Sequence, residues 1–94
     1  MTSLKPHEMA DIRVQSVSVS DEELTVGLMD GRKISAPLWW YPGLARATPA
    51  QRARWEVCGA GFGIHWPDID EDLSTEGLIA GAPAPGVRRP QPHR

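Results

Sequence analysis

The chain has 94 residues, of which 40% are hydrophobic and 23% charged, a composition typical of one small globular domain. No apolar run approaches the ~20 residues of a membrane-spanning helix, and the first residues, MTSLKPHEMADIR, lack the apolar core of a secretory signal. The single cysteine, Cys58, excludes an internal disulfide and a cysteine-based zinc site. We therefore expect a cytoplasmic protein without a membrane segment.

The charge is unevenly distributed. Residues 1–81 contain 7 Lys and Arg against 12 Asp and Glu, a net charge of −5, and the other three arginines lie in residues 82–94. Affinity for phosphates depends on clustered cations, so an acidic body argues against direct nucleic-acid binding.

The first half of the chain predicts an antiparallel meander. Residues 1–10 are predicted to be a flexible lead-in, after which Ile12, Val14, Val17 and Val19 alternate with polar residues. The apolar positions change from even to odd numbers between Val14 and Val17, which predicts a β-bulge near residues 15–16. A second alternating run covers residues 24–29, Asp30-Gly31 predicts a type I′ hairpin turn, and residues 32–36 return as the third strand.

The second half is predicted to be broken by Pro and Gly into short elements. Trp39, Trp40 and Tyr41 are interpreted as extended, and a turn of helix is expected at 43–47. Thr48, Pro49 and Gln51 have the spacing of a capping box, with a helix to residue 54 or 55. Strands are predicted at 56–59 and 63–66, with a kink between them and a stop at Pro67.

The acidic residues 68–72 are interpreted as the approach to a last helix, capped by Ser74 and ended by Gly81, with Leu78 and Ile79 packed inward. The four tryptophans and Phe62 are expected to supply much of the core. The predicted fold is α+β: a small antiparallel β-meander sheet with two or three short helices in one domain, residues 11–81. A disordered tail containing Pro and Arg follows at 82–94.

Two groups of residues are candidates for binding a partner. Neighbouring residues of an extended segment point to opposite faces, so one of Trp39 and Trp40 is expected at an interface. Asp68, Asp70 and Asp72 have the spacing that opens a calcium loop. The sixth position is Leu73 instead of Gly and the twelfth is Ile79 instead of Glu, so no metal site is predicted.

Two further groups give alternative sites. His65, beside Trp66 and the acidic segment, could act as an acid–base group, although a hydrogen-bonded structural histidine is the commoner case. Arg46, Arg52 and Arg54 could form a basic edge, or be ordinary solvated arginines. Residues 59–63 lack the spacing of a phosphate-binding loop. No cofactor and no catalytic residue is assigned.

Three motifs resemble a known family. They are Leu24-x-Val26 with Asp30-Gly31-Arg32, the run from Trp40 to Arg52 (WYPGLARATPAQR), and the run from Gly63 to Leu78 (GIHWPDIDEDLSTEGL). Over residues 11–81 the chain resembles the bacterial domain of unknown function 2442. The resemblance implies a small α+β domain without established catalytic residues. Some members carry an extra DNA-binding domain, which we do not expect here because only the predicted tail follows Gly81. Others are encoded in what look like toxin–antitoxin or regulatory pairs.

We therefore expect a non-enzymatic, protein-binding regulatory module, such as the antitoxin-like half of a gene pair. Its partner would be a small basic protein or a second copy of the chain, bound through Trp39 or Trp40 with Asp68, Asp70 and Asp72. The first alternative is a small hydrolase or ligand-binding protein that uses His65 and residues 68–72. The second is a nucleic-acid-associated regulator that uses Arg46, Arg52, Arg54 and the tail.

Overall fold

A computed structural model describes residues 10–81, 83–84 and 86–87. It contains six strands in two three-stranded antiparallel sheets, with three short helices between and after them. The strands are β1 Val14–Val19, β2 Glu23–Leu28, β3 Lys33–Pro37, β4 Glu56–Cys58, β5 Gly63–Trp66 and β6 Glu71–Ser74. The helices are α1 Pro42–Arg46, α2 Pro49–Ala53 and α3 Thr75–Ala80. The α+β class and the meander are confirmed.

The first sheet has the order β1-β2-β3. Its register shifts between Val14, opposite Leu28, and Ser16, opposite Gly27, so Gln15 is the extra residue of a bulge. This confirms the predicted bulge. Beyond it, Val26 and Leu24 are buried, because alternate residues of β2 face the core.

The hairpin between β2 and β3 is present, but its turn is not type I′. A type I′ turn needs positive φ at both central residues. Ala60 and Asp70 are the only described residues other than glycine with positive φ, so Asp30 does not meet this requirement. The Gly31 amide donates to the Leu28 carbonyl, and Gly31 itself has a φ of 97°. This is the three-residue loop in which glycine forms the bulge. The Asp30 carboxylate accepts from the Arg32 amide at 3.0 Å, which holds this alternative turn.

Leu38–Trp40 forms a single 3₁₀ turn instead of the expected extended segment. Alternation therefore does not apply: Leu38 is buried, and Trp39 and Trp40 are both half-buried. Helix α2 begins with the predicted capping box. The Gln51 amide donates to the Thr48 hydroxyl at 3.1 Å, and the Thr48 amide donates to the Gln51 side chain at 2.9 Å.

The second sheet has the order β4-β5-β6. Residues 59–61 form a tight turn between two strands that pair with each other, with positive φ at all three residues. The acidic segment is not a simple approach to the last helix, because residues 71–74 form β6, which pairs antiparallel with β5. Ser74 does cap α3, accepting from the Gly77 amide at 2.9 Å, and Gly81 ends α3 in the left-handed conformation.

Both sheets contribute to one core. Its buried apolar residues come from β1, β2, β3, β5, α1, α3 and the 3₁₀ turn: Val14, Leu24, Val26, Leu28, Ala36, Leu38, Tyr41, Leu44, Ile64, Trp66 and Leu78. The expected aromatic core is confirmed only in part, since Trp40 and Trp55 are half-buried against the core. Trp66 is the one tryptophan that is fully buried, Phe62 is 42% exposed, and Ile79 is 46% exposed on the outer side of α3.

No helix in the described part of the chain has both the length and the apolarity needed to cross a bilayer. The predicted lead-in and most of the predicted tail lie outside the described residues. Within the tail, the Ala84 amide donates to the Trp40 carbonyl at 3.1 Å, so the chain passes beside the 3₁₀ turn after α3.

Candidate functional site

A cleft of about 280 Å³ lies where strand β6, helix α3 and residues 83–84 meet Tyr41. Tyr41 follows the 3₁₀ turn and is fixed by the bond from its amide to the Leu38 carbonyl. Glu71, Leu73 and Leu78 supply the wall from β6 and α3, and Ala84 closes the side next to Trp40. Tyr41 and Glu71 are separated by some thirty residues in the sequence and meet at this cleft only in the folded chain.

Tyr41 is 2% exposed, and its hydroxyl has no hydrogen-bond partner among the described residues. Every fully buried side-chain polar atom in this part of the chain has a partner, so the hydroxyl retains contact with the cleft. Burial raises the pKa of Tyr41, and the nearby Glu71 carboxylate raises it further. Tyr41 therefore presents a neutral hydroxyl that can both donate and accept a hydrogen bond.

Glu71 is half-buried beside it, and no Lys or Arg of the described residues pairs with its carboxylate. Burial raises the pKa of Glu71, and the neighbouring Asp72 and Asp70 carboxylates raise it further. A side chain at position 43 would lie against the Glu71 carboxylate, with the Cβ 2.7 Å from Oε1, so glycine there leaves it room. The cleft thus holds a negative charge that the described residues do not neutralise.

A second cluster involves the cross-strand pair His65 and Asp72. The His65 Nδ1 lies 2.7 Å from the Asp72 Oδ1, and Asp70, with a φ of 52°, brings its carboxylate to the same place. Donor atoms of His65, Asp70 and Asp72 all lie within 4.8 Å of one another, so these three residues could hold a divalent ion. His65 does not line the cleft beside Tyr41.

Asp68 does not join this cluster. Its carboxylate accepts from the Arg54 guanidinium at 3.1 Å, so the three aspartates of the calcium-like spacing do not act together. Trp66, the predicted neighbour of His65 in the alternative site, is fully buried in the core and its indole donates to the Arg52 carbonyl at 3.0 Å. It is inaccessible to a ligand.

The two predicted interface tryptophans lie next to the cleft. Trp39 and Trp40 are in edge-to-face contact with ring centres 6.4 Å apart, and Trp40 contacts Tyr41 in the same way at 6.2 Å. The half-buried aromatic pair therefore continues into the wall of the cleft, and Asp72 lines the cleft as well.

The three arginines do not form a basic edge. Arg52 is buried, with its guanidinium donating to the Leu44 and Ala45 carbonyls and to the Asp21 carboxylate. Arg54 pairs with Asp68, which leaves Arg46 as the exposed arginine of the group without an ion pair among the described residues. The interpretation as solvated arginines is wrong for Arg52, which is structural.

The sequence did not single out Tyr41 as a site residue, and it pointed to Glu71 only as part of the acidic segment 68–72. Strand β6 was missed because acidic residues are uncommon in strands. Its signal was the alternation of Glu71 and Leu73, which share the inner face of the strand.

Fold and site together define a small two-sheet α+β protein with an acidic cleft bordered by aromatic residues. Residues 14–84 match the family model described as protein of unknown function (DUF2442), and the chain belongs to this family. No curated protein matches the chain.

Two solved structures are similar. One is the crystal structure of a protein of unknown function from Rhodospirillum rubrum, with 34% identity and a TM-score of 0.62 over 73% of this chain and 86% of that one. The other is the solution structure of an uncharacterised protein from Chromobacterium violaceum, with a TM-score of 0.67 over 79% of this chain and 70% of that one. At 22% identity, the second shares the fold alone.

Proposed function

We propose that this protein is a non-enzymatic protein-binding module that takes a basic segment of a partner on the surface formed by Trp39, Trp40, Asp70, Asp72 and the cleft. The observation that carries the proposal is the continuity of the half-buried tryptophan pair with a cleft whose carboxylate has no cation partner among the described residues. Tryptophans dominate binding energy at interfaces, and complementary charge selects the partner.

The test is a pull-down with the tagged full-length chain from the native cell extract, with size-exclusion light scattering of the pure protein beside it. We expect a stoichiometric small basic protein, whose capture falls with Trp39→Ala and with the pair Asp70→Asn and Asp72→Asn. Glu56→Gln, on the opposite edge of the second sheet, removes the same type of charge and should leave capture unchanged.

Circular dichroism of each variant separates a lost interface from a lost fold. Capture that is equal in wild type and in folded variants would contradict the proposal. The narrower form, an antitoxin-like half of a gene pair, is supported by the family resemblance and requires that the captured protein be encoded beside this one. A homodimer that loses stability with the same substitutions would make the partner a second copy of the chain.

A ligand-binding or hydrolytic role for His65 is the second candidate, supported by its 2.7 Å pairing with Asp72. A carboxylate that orients an imidazole is the arrangement of a general base. A screen with ester and phosphoester substrates, comparing wild type with His65→Gln, tests it. Absence of turnover that depends on His65 would reject the candidate.

A further inference from the structure

Two polar groups that border the cleft have no hydrogen-bond or ionic partner among the described residues. Burying a polar group costs free energy unless a hydrogen bond or an opposite charge compensates it. The Tyr41 hydroxyl has no hydrogen-bond partner and the Glu71 carboxylate has no cation partner among the described residues, although Tyr41 is 2% exposed and Glu71 is half-buried. Every fully buried side-chain polar atom of the described residues has a partner, so both groups are open to the cleft, where a ligand can supply the partner that they lack.

The two groups define what that ligand must offer. A carboxylate accepts hydrogen bonds and attracts a cation, and the Tyr41 hydroxyl oxygen accepts a further donor. Asp72 also lines the cleft, but its carboxylate pairs with His65, so the charge available to a ligand is that of Glu71. Four of the other lining residues are apolar and suit a hydrocarbon stem: Leu73, Leu78, Pro83 and Ala84. Ser74 and Gly77 complete the wall.

The cleft is small and has room for one long side chain. At about 280 Å³ it is smaller than most small-molecule sites, which measure roughly 300–1,000 Å³. A guanidinium suits a half-buried carboxylate better than an ammonium does, because it is more weakly hydrated and offers several donors in one plane.

We infer that this cleft binds the guanidinium of an arginine side chain from the basic partner, with Glu71 accepting its charged hydrogen bonds and the Tyr41 hydroxyl accepting another. The inference rests on the proposed function for the identity of the partner, but the cleft's chemistry can be tested without it. Glu71 is the anchoring residue, and Tyr41 is a specificity residue at the end of the cleft.

The experiment is an NMR titration of the isotope-labelled full-length chain with N-acetyl-arginine amide. N-acetyl-citrulline amide, which has nearly the same shape without the charge, is the ligand control. We expect saturable amide shifts at Tyr41, residues 71–74 and Leu78 with the arginine compound, and none with the citrulline compound.

Glu71→Gln keeps the size of the side chain and removes the charge, and should weaken binding about tenfold, the loss of one charge-assisted interaction. Tyr41→Phe removes one hydroxyl and should weaken binding by a smaller factor. Glu56→Gln is the matched control and should bind as wild type does. Equal binding of the citrulline compound, the absence of saturable shifts at the cleft, or unchanged binding by folded Glu71→Gln would overturn the inference.

The outcomes separate this inference from the proposed function. Partner capture that Glu71→Gln leaves intact, together with loss in Trp39→Ala, would overturn the arginine cleft and support the protein-binding function. Arginine binding that depends on Glu71, without any captured partner, would support the cleft and contradict the function.

Discussion

Arg52 connects three parts of the chain through one buried side chain. Its guanidinium donates to the carbonyls of Leu44 at 2.9 Å and Ala45 at 3.0 Å, which are the open end of α1, and to Asp21 in the turn before β2. Its own carbonyl accepts from the Trp66 indole. Because removal would leave two backbone carbonyls without these donors, we expect Arg52→Ala to lower the free energy of unfolding by about 3 kcal/mol. Urea denaturation measures this loss.

The control for Arg52 is its ionic partner. Asp21 is 92% exposed in the pair, and exposed ion pairs contribute about 0–1 kcal/mol. Asp21→Ala should therefore change the midpoint of unfolding little. If Asp21→Ala were as damaging as Arg52→Ala, the ion pair and not the carbonyl contacts would explain the role of Arg52.

Glu71 makes the stability of the protein depend on pH in a direction that can be worked out. Its pKa is raised in the folded state above the ordinary value of 4.5, so above that pH the folded protein binds more protons at this site than the unfolded chain does. The fold therefore favours the neutral form of Glu71. This stabilisation is fully present below pH 4.5 and is lost as the pH rises through the pKa of Glu71 in the folded state. We expect Glu71→Gln, which cannot ionise, to be more stable than wild type at neutral pH.

The measurement is urea denaturation of both proteins from about pH 4 to about pH 8. The difference in unfolding free energy should grow with pH and disappear at the acidic end. Parallel curves would show that the cleft does not disfavour the charged carboxylate. If Glu71 lowers the stability of the folded protein and also contributes to binding, it behaves as residues of functional sites commonly do.

At the scale of the element, the capping box of α2 should contribute a measurable part of stability. The helix has five residues, too few to be stable without its cap and its packing. Thr48→Ala removes the acceptor for the Gln51 amide and should cost about 1 kcal/mol. Thr48→Ser keeps the hydroxyl and should cost much less. Equal losses in the two variants, measured by thermal unfolding, would contradict a role for the hydroxyl.

Elements whose signal is local could be predicted from the sequence. The capping box, the bulge at Gln15, the hairpin at Asp30-Gly31 and the Ser74 cap all depend on residues within a few positions of each other. The turn type of the hairpin was missed because the Asp30 carboxylate holds the Arg32 amide. Strand β6 was missed because its formation depends on pairing with β5, which overrides the low strand preference of its acidic residues.

At the scale of the whole molecule, the site depends on contacts that the sequence does not reveal. The cleft requires β6 to pack near Tyr41, and the role of Arg52 requires three segments to converge on one guanidinium. The composition predicts that the four tryptophans belong to the core. In the structure the 3₁₀ turn leaves Trp39 and Trp40 half-buried, and Trp66 is the one fully buried tryptophan of the described residues. Long-range packing decides which of several similar residues is buried.

The shared core predicts that the two sheets unfold together. Leu24 from β2 and Ile64 from β5 are both fully buried in one apolar cluster, so a cavity at either position destabilises the same core. We expect Leu24→Ala and Ile64→Ala each to lower the free energy of unfolding by about 3 kcal/mol. Ile64→Val should lower it by about 1 kcal/mol, and it replaces Ile64→Ala if that variant is too unstable to measure. In each folded variant, circular dichroism and tryptophan fluorescence should give one coincident transition in urea. A second transition in Ile64→Val, with the first sheet still folded, would show that the sheets are separate units, and the cleft could then open while the β1-β2-β3 meander stays intact.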